Sequence, residues 1–358
     1  MAADEIAKVY FLDVGQGTSQ VIAFADGSLV IIDCGASADA LVMLLKTISF
    51  DRIRAVVLSH WHDDHVNGTP AVIANFGSKI DAFHLPQDQP AVDIKANPIY
   101  RQITDLKRKR KGKLIVDRLE FRNADHGRIY GSASSSDGPV LSVVYPDYEQ
   151  SIDAQSQGDS NQGSGVLILE HGRGRIVFPG DAGKKAFKAL IKRLGNGPIA
   201  CNILTAPHHS GKLNKGAIDV KGYRNCYHWL YQDVVKPENV IVSAGTDNTY
   251  DHPKRDHLLE AVRVGATVIC TQMTPQCHTD VKSVKPSLLP LIHHPAECGL
   301  NNGVGCGGTI VAELNSTGVK IERLDDHQRK VNALATVQSP LCRSSLSAST
   351  VVEAGQQF

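Results

Sequence analysis

A short stretch, HWHDDH at residues 60–65, concentrates side chains that bind metals. Neutral imidazole and carboxylate groups are ligands of zinc and comparable divalent ions. The stretch follows an apolar run, Arg54 to Leu58, that is typical of a buried strand. His60 and His62 alternate on an extended segment, so they point to one side, whereas Asp64 and His65 fall at a turn and can face a second ion. The pattern indicates a chelating site rather than a polar loop that is merely rich in histidine.

Later apolar runs also end in residues of these types. The runs Arg175–Phe178, Ile203–Ala206 and Val240–Ser243 predict strands. They are followed by residues of these types: Asp181, His208, His209 and His252. The stretch at 60–65 itself lies at the carboxyl end of its strand, where open α/β sheets usually place ligands. Plainer roles are also open: a helix cap for Asp181 or His252, and a surface position for the His208-His209 pair.

The elements needed to hold such a site can be predicted from the same chain. An Asp-Gly pair between two alternating apolar runs indicates a β-hairpin. The order begins strand-strand-strand-helix-strand, with strands at Val9–Val14, Gln20–Ala25, Ser28–Ile32 and Arg54–Leu58 and a helix from Ser37 to Phe50. Asp33 ends the third strand, where it can orient metal ligands or simply bond its own turn. We expect polar loops at residues 131–138 and 151–165.

Four motifs resemble a known family. The spacing of residues 60–65 resembles the metal-binding signature of the metallo-β-lactamase superfamily of hydrolases. Asp13-Val14-Gly15-Gln16-Gly17 resembles the opening of the hydrolase domain of ComEC-type DNA-uptake proteins, although those proteins carry membrane helices. Residues 207–211 (PHHSG) and 245–253 (GTDNTYDHP) are similar to later motifs of that group, with one Ser-Gly order swapped. The resemblance implies an α/β fold: an αββα sandwich of two mixed sheets flanked by helices.

The resemblance also implies roles for individual residues. His60 and His62 would bind one ion. Asp64 and His65 would bind the other, and His208 or His252 would complete the ligands of this second ion. Asp181 would bridge the two ions. Asp64, His208 and His209 are the candidates for proton transfer during catalysis.

One departure from the superfamily pattern bears on the metal. A further histidine is often found before the strand that begins at Val166, but Asn161 and Ser164 occupy that zone here. Asn161 and Ser164, like Asp33, are therefore expected to support the ligands. A shell richer in oxygen shifts the preference from zinc toward manganese or magnesium, so we expect two divalent ions, zinc or manganese.

Composition limits the class of protein. The chain has 358 residues, 42% hydrophobic and 21% charged, with a net charge of +1. This composition is typical of a globular protein. The net charge is too small to create an overall electrostatic field that would attract nucleic acid or a membrane. Neither a run of about 20 apolar residues nor a signal-peptide pattern is present, so we expect a cytoplasmic protein without a membrane partner. We predict one domain over residues 1–331 and a flexible tail over 332–358.

Two further patterns allow alternative interpretations. Four cysteines lie in an insertion at about 270–306 and can bind a structural zinc or remain thiols: Cys270, Cys277, Cys298 and Cys306. A basic run closes the helix expected from Pro98: Lys107, Arg108, Lys109, Arg110 and Lys111. It can be a solvated helix terminus, favoured by the helix dipole, or a patch that contacts nucleic-acid phosphates.

These observations predict a metal-dependent hydrolase, and the resemblance implies a phosphodiesterase or nuclease that acts on DNA through metal-activated water. The metals alone do not distinguish a phosphodiester from a small ester, a lactone or a cyclic nucleotide, which are the alternative substrates. A binding module with a decayed site is a further alternative. Partner proteins in a multi-component system, such as defence against foreign DNA, are also compatible with the sequence.

Overall fold

Two β-sheets pack face to face between layers of helices. The computed structural model describes residues 5–87, 97–123, 127–132, 136–195, 197–213, 222–276, 304–334 and 340–342. In this part of the chain the first sheet has the order β15-β14-β1-β2-β3-β4-β5-β6 and the second β13-β12-β11-β10-β9-β8-β7. Both sheets are mixed, because strands β3 to β6 and β10 to β13 run parallel and the others pair antiparallel. The predicted αββα sandwich is confirmed.

The first sheet consists of β1 (Ala7–Phe11), β2 (Gln20–Ala23), β3 (Ser28–Ile32), β4 (Arg52–Val57), β5 (Ala82–Leu85), β6 (Ile115–Arg118), β14 (Ile310–Asn315) and β15 (Gly318–Ile321). The second consists of β7 (Arg128–Tyr130), β8 (Val140–Tyr145), β9 (Val166–His171), β10 (Gly174–Phe178), β11 (Ile199–Thr205), β12 (Val235–Val242) and β13 (Thr267–Cys270). The helices are α1 (Asp39–Thr47), α2 (Asp63–Val66), α3 (Thr69–Phe76), α4 (Pro98–Lys109), α5 (Tyr148–Ser156), α6 (Lys184–Leu194), α7 (Cys226–Trp229), α8 (Arg255–Arg263) and α9 (Leu324–Leu334).

Alternation along the strands divides the core into three layers. In β1, Val9 and Phe11 face the second sheet, whereas Tyr10 faces the helices α1, α3 and α4. Successive strand residues point to opposite faces, so a strand with apolar residues on both faces must lie between two cores. The rings of Phe11 and Phe178 stack across the central layer with centroids 6.1 Å apart. Burying such a side chain contributes about 1.5–3 kcal/mol.

The structure corrects one sequence-based expectation and excludes one alternative. The polar segment 151–165 is not only a loop, because α5 begins at a capping box formed by Asp147 and Gln150 and a 3₁₀ turn follows at Ser160–Gly163. Asp181 does not cap a helix, since α6 begins at Lys184 after Gly183. The helix α9 runs past residue 331 to the buried Leu334, and the division of the chain into a domain and a tail stays a prediction.

Two predicted features fall partly outside the described residues. Cys277 and Cys298 are outside them, as are residues 343–358 of the predicted tail. Cys270 and Cys306 are both buried, and the Cys306 Sγ lies 3.8 Å from the His327 Nε2. The structural zinc at this insertion therefore stays a prediction. No helix in the described part of the chain has the length and apolar character that crossing a bilayer requires.

Candidate metal centre

Four strand ends meet at one rim of the sandwich. Asp33 follows β3, the HWHDDH stretch follows β4, Asp181 follows β10 and the histidine pair at 208–209 follows β11. β3 and β4 are parallel neighbours in one sheet, and β10 and β11 in the other. Their carboxyl ends therefore point the same way, as expected for ligand-binding α/β sheets. The residues expected to converge do so although they are up to about 176 positions apart in the chain.

Asp181 lies between two groups of potential metal ligands. One group contains His60, His62 and Asp181, and the other Asp64, His65 and His209, each with ligand atoms within 4.8 Å of one another. The two carboxylate oxygens of Asp181 face different groups. Its Oδ2 is 3.5 Å from the His60 Nε2 and 3.6 Å from the His208 Nε2, whereas its Oδ1 is 3.2 Å from the His65 Nε2 and 3.8 Å from the His209 Nε2.

Hydrogen bonds fix the orientation of the buried imidazoles at His65 and His60. The carboxylate of Asp33 accepts a bond of 2.7 Å from the His65 Nδ1. It also accepts bonds of 2.7 Å from the backbone N–H and from the hydroxyl of Ser59. The Ser59 oxygen in turn lies 3.1 Å from the His60 Nδ1. With the proton on Nδ1, each ring turns a lone pair on Nε2 toward Asp181, which is how carboxylates support histidine ligands in metal sites.

The turn after β11 carries two neighbouring histidines to opposite sides of Asp181. His208, His209 and Ser210 have consecutive left-handed φ angles of 51°, 51° and 62°. Non-glycine residues adopt this conformation at a cost and do so mainly where the surrounding structure holds them. The His208 Nδ1 lies 2.6 Å from the Lys212 carbonyl and the His209 Nδ1 lies 2.9 Å from the Ser243 carbonyl. Both rings are thereby oriented with Nε2 toward the site.

Several polar atoms at the centre of the site have no hydrogen-bond partner among the described residues. These buried atoms are the Nε2 atoms of His60, His65 and His209 and the Oδ1 of Asp181. Leaving such an atom unsatisfied costs about 1–3 kcal/mol, so convergent cases call for an explanation. A pair of divalent ions bound by these lone pairs provides one, because every unsatisfied atom is of a type that coordinates metals. The residues therefore fit a dinuclear metal site.

Burial and neighbouring charges shift the pKa values of the two aspartates. Burial by itself would raise the pKa of Asp181, but the adjacent His65, His60 and His208 hold it well below its usual range. Burial likewise opposes ionisation of Asp64, and the contact with His209 and the charge of His65 outweigh it, so this pKa is also lowered. Both carboxylates are therefore ionised near neutral pH, as metal ligands must be.

The histidines divide into two kinds. Burial lowers the pKa of His60 to about 4, so its ring is neutral near pH 7. For His65, burial acts in the same direction, but Asp181 and Asp33 outweigh it and raise the pKa well above the usual value. This raised pKa describes a ring between two carboxylates without an ion. A divalent cation bound at the His65 Nε2 would take the place of that proton.

His252 borders the same cavity from the second sheet. Asn248 accepts a bond of 2.9 Å from the His252 backbone N–H and donates one of 2.8 Å to its carbonyl oxygen. The ring centroid lies 5.1 Å from that of His208 and 6.3 Å from that of His209. Burial, reinforced by His208 and His209, lowers the pKa of His252 to about 4. Gly211 is required here, since a Cβ at that position would lie 2.3 Å from the His252 ring.

The fold and the site can now be compared with known proteins. The model of the metallo-beta-lactamase superfamily matches residues 12–218. The chain belongs to this superfamily. It is 24% identical over 250 residues to competence protein ComA of Neisseria gonorrhoeae, covering 69% of this chain and 28% of that protein. It is 35% identical over 52 residues to ribonuclease Z of Clostridium tetani, covering 14% of this chain and 16% of that protein.

The chain is also similar to a solved structure, that of the metallo-beta-lactamase fold protein YhfI from Bacillus subtilis. That match has a TM-score of 0.42 and 12% identity, and it covers 74% of this chain and 96% of YhfI. The chain spans less than a third of the length of either curated relative. The predicted family is confirmed: the chain belongs to the superfamily and carries candidate metal-binding histidine and aspartate groups.

The remaining predicted site residues are placed as follows. The Ser164 hydroxyl accepts a bond of 3.0 Å from the Asp181 backbone N–H and lies 3.5 Å from the His60 Nδ1, so Ser164 contacts the ligands. Asn161 accepts a backbone bond from Ser164, and its own side-chain Oδ1 is buried without a partner. His209, rather than His208 or His252, belongs to the group of Asp64 and His65.

The basic run lies at the end of α4, and its side chains do not line the cavity beside the metal groups. The Arg110 guanidinium donates to the carbonyls of Gly77 and Ile80, and Arg108 pairs with Asp105. Two of the five cations are thus engaged within the fold. Their contact with nucleic acid stays a prediction.

Two residues at the site were not singled out from the sequence. Ser59 joins Asp33 to both His60 and His65, and only its position directly before the ligand stretch could have indicated this. Gln16 lines the cavity, and both polar atoms of its amide are buried without hydrogen bonds. A glutamine between two glycines after a strand is a signal for a tight loop, but it does not identify what the amide faces.

Proposed function

We propose that this protein is a dinuclear metal-dependent phosphodiesterase that cleaves DNA. The observation that carries the proposal is the position of Asp181, whose two oxygens face two separate ligand groups. A carboxylate can bridge two cations a few Å apart by giving one oxygen to each. Two-metal sites of this kind serve hydrolases that transfer phosphoryl groups to water.

The distances favour one division of the ligands. The first ion would be held by His60, His62 and the Asp181 carboxylate, with His208 on the same side. The second would be held by Asp64, His65, His209 and the same carboxylate. His208 would then supply the imidazole whose usual position is occupied by Asn161 and Ser164. A site with five histidines and two carboxylates suits zinc or manganese.

When bound, the ions supply an acidified water and positive charge that neutralises phosphate oxygens. The residues of the chain position the reactants. Asp64 is ionised and 22% exposed at its side chain, so it can accept a hydrogen bond from the attacking water. His252 is neutral near pH 7, and a ring N–H there can donate to a phosphate oxygen or to the leaving oxygen.

Two observations favour a phosphodiester as the substrate. The cavity is open and has a volume of about 560 Å³, so it can admit part of a polymer. One curated relative is named a ribonuclease, and the other is named a competence protein, in line with the resemblance to ComEC-type DNA-uptake proteins. DNA is preferred over RNA because the similarity to the competence protein covers 69% of this chain against 14% for the ribonuclease. A cytoplasmic location and partner proteins remain predictions.

The test combines metal analysis with a substrate panel. Purified protein with manganese is expected to cut single-stranded DNA and bis(p-nitrophenyl) phosphate, and a chelator or Asp181→Ala is expected to abolish both activities. Asp325→Ala, an exposed aspartate on α9, is the matched control and should retain them. Intact phosphodiesters together with turnover of a lactone or a small ester would refute the proposal, as would protein that binds no metal.

A further inference from the structure

A second cavity adjoins the metal centre. It has a volume of about 500 Å³ and lies between the end of β5, the start of α4, the edge strand β6 and the first turns of α5. Trp61 lines both this cavity and the one that contains the metal groups. Trp61 sits between two proposed ligands in the chain, and its indole N–H donates to the Pro86 carbonyl at 3.3 Å. We call this second cavity the flanking cavity.

Aromatic surfaces in the flanking cavity are available to a ligand. Tyr100 is half-buried, and Tyr148 is 56% exposed at the start of α5. Ile152, one turn further along the same helix, is 45% exposed. Within the described part of the chain, Tyr100, Tyr148 and Trp61 stack on no other aromatic ring. An exposed ring that stacks on no other ring, such as that of Tyr148, is suited to stacking on a planar group of a ligand.

The flanking cavity also offers a cation. Arg118 is exposed on β6, and its guanidinium has no ion pair among the described residues. Arg122 is different, because Glu120 and Asp117 both pair with it. Arg118 is therefore the group in this cavity that can bind an anion without breaking an internal salt bridge.

We propose that the flanking cavity binds the nucleotide next to the scissile phosphate of a single-stranded nucleic acid. The base stacks on Tyr148 or Tyr100, and the adjoining phosphate contacts Arg118. This inference rests on the proposed phosphodiesterase function and specifies its substrate as a polymer rather than a small diester. Aromatic platforms combined with a cation are how proteins hold single strands without reading their sequence.

The test compares a substrate that reaches both cavities with one that fills only the metal cavity. The first is a fluorescent single-stranded oligonucleotide, in DNA and RNA forms, and the second is bis(p-nitrophenyl) phosphate. Tyr148→Ala and Arg118→Ala are expected to raise KM on the oligonucleotide by about tenfold more than on the small diester, since base stacking contributes about 1–3 kcal/mol. A lower KM of the parent protein for the RNA form than for the DNA form would contradict DNA as the proposed substrate.

Matched variants separate binding from folding. Tyr148→Phe keeps the ring and should retain most of the affinity. Arg173→Ala removes an exposed arginine at the β9–β10 turn, at the opposite end of β10 from Asp181, and should behave as the parent protein. If Tyr148→Ala and Arg118→Ala impair both substrates equally, or neither, the flanking cavity does not bind a nucleotide.

A second readout is independent of catalysis. Fluorescence anisotropy of the oligonucleotide with chelator-treated protein should show binding that both alanine variants weaken about tenfold. If no phosphodiester is hydrolysed, the proposed function fails, and the anisotropy measurement still decides the flanking cavity by itself. If the small diester is hydrolysed while the variants leave oligonucleotide binding unchanged, only the flanking-cavity proposal fails.

Discussion

Asp33→Asn provides a direct test of how the site is oriented. Asp33 is completely buried and accepts three hydrogen bonds, two from Ser59 and one from the His65 Nδ1. A carboxylate only accepts, so it requires the His65 proton to reside on Nδ1. An amide of nearly the same size can instead donate to that nitrogen. His65 would then carry its proton on Nε2, the atom that faces Asp181 and the proposed ion.

The size of the effect follows from this change of tautomer. Replacing a group that orients a metal-bound histidine costs about 10–100-fold in metal affinity. That range corresponds to about 1.4–2.7 kcal/mol, and it should fall on one ion because His60 is oriented mainly through Ser59. Asp33→Ala should be more severe. It leaves three buried donors without an acceptor, which should lower the free energy of unfolding by about 3 kcal/mol or more.

The assay is a metal titration by calorimetry, with competition against a chromogenic chelator for tight binding. The parent protein is expected to bind two ions and Asp33→Asn to bind one of them about 10–100-fold more weakly. Asp26→Asn is the control, because it replaces a carboxylate by an amide at the other end of β3. There Asp26 accepts hydrogen bonds from the backbone N–H and the hydroxyl of Ser28. If folded Asp33→Asn binds both ions with parental affinity, the proposed orientation of His65 is wrong.

Two further perturbations test the packing and the charge state of the site. Gly211→Ala should lower the free energy of unfolding by about 1–3 kcal/mol, because the new methyl group would overlap the His252 ring. It should also reduce phosphodiester hydrolysis as much as loss of His252 does. Gly197→Ala is the control and should have neither effect, since a Cβ there meets nothing within 4 Å. In chelator-treated protein, the free energy of unfolding should rise with pH between about 4 and 6.5. The pKa values of His60 and His252 are lowered to about 4 in the folded protein. The unfolded chain therefore binds more protons than the folded protein across this pH range. Urea denaturation over this range should show a gain of about 3 kcal/mol from fully buried His60 and less from His252, and a flat profile would contradict the burial of these rings as neutral groups.

Local patterns along the chain were sufficient to predict most strands and the ligand types. The hairpin at residues 20–32 was predicted to within a few residues because the Asp-Gly pair and the alternation are local signals. The stretch at 60–65 could be identified because a strand that ends in several ligand residues has a recognisable form, whereas the role of Asp181 was implied by the family resemblance. The helix α5 was missed, since its polar sequence resembles a loop and its capping box at Asp147 was not recognised.

The sequence by itself determined the chemistry that is available: imidazoles and carboxylates at strand ends, and a family resemblance that predicted the sandwich. Only the tertiary structure decided how the ligands divide. The left-handed turn at His208 and His209 turns neighbouring side chains toward opposite oxygens of Asp181, and no local pattern encodes that direction. The role of Ser59 was likewise decided by contacts between residues on different strands. Such contacts depend on how two sheets pack together, which is a property of the folded chain as a whole.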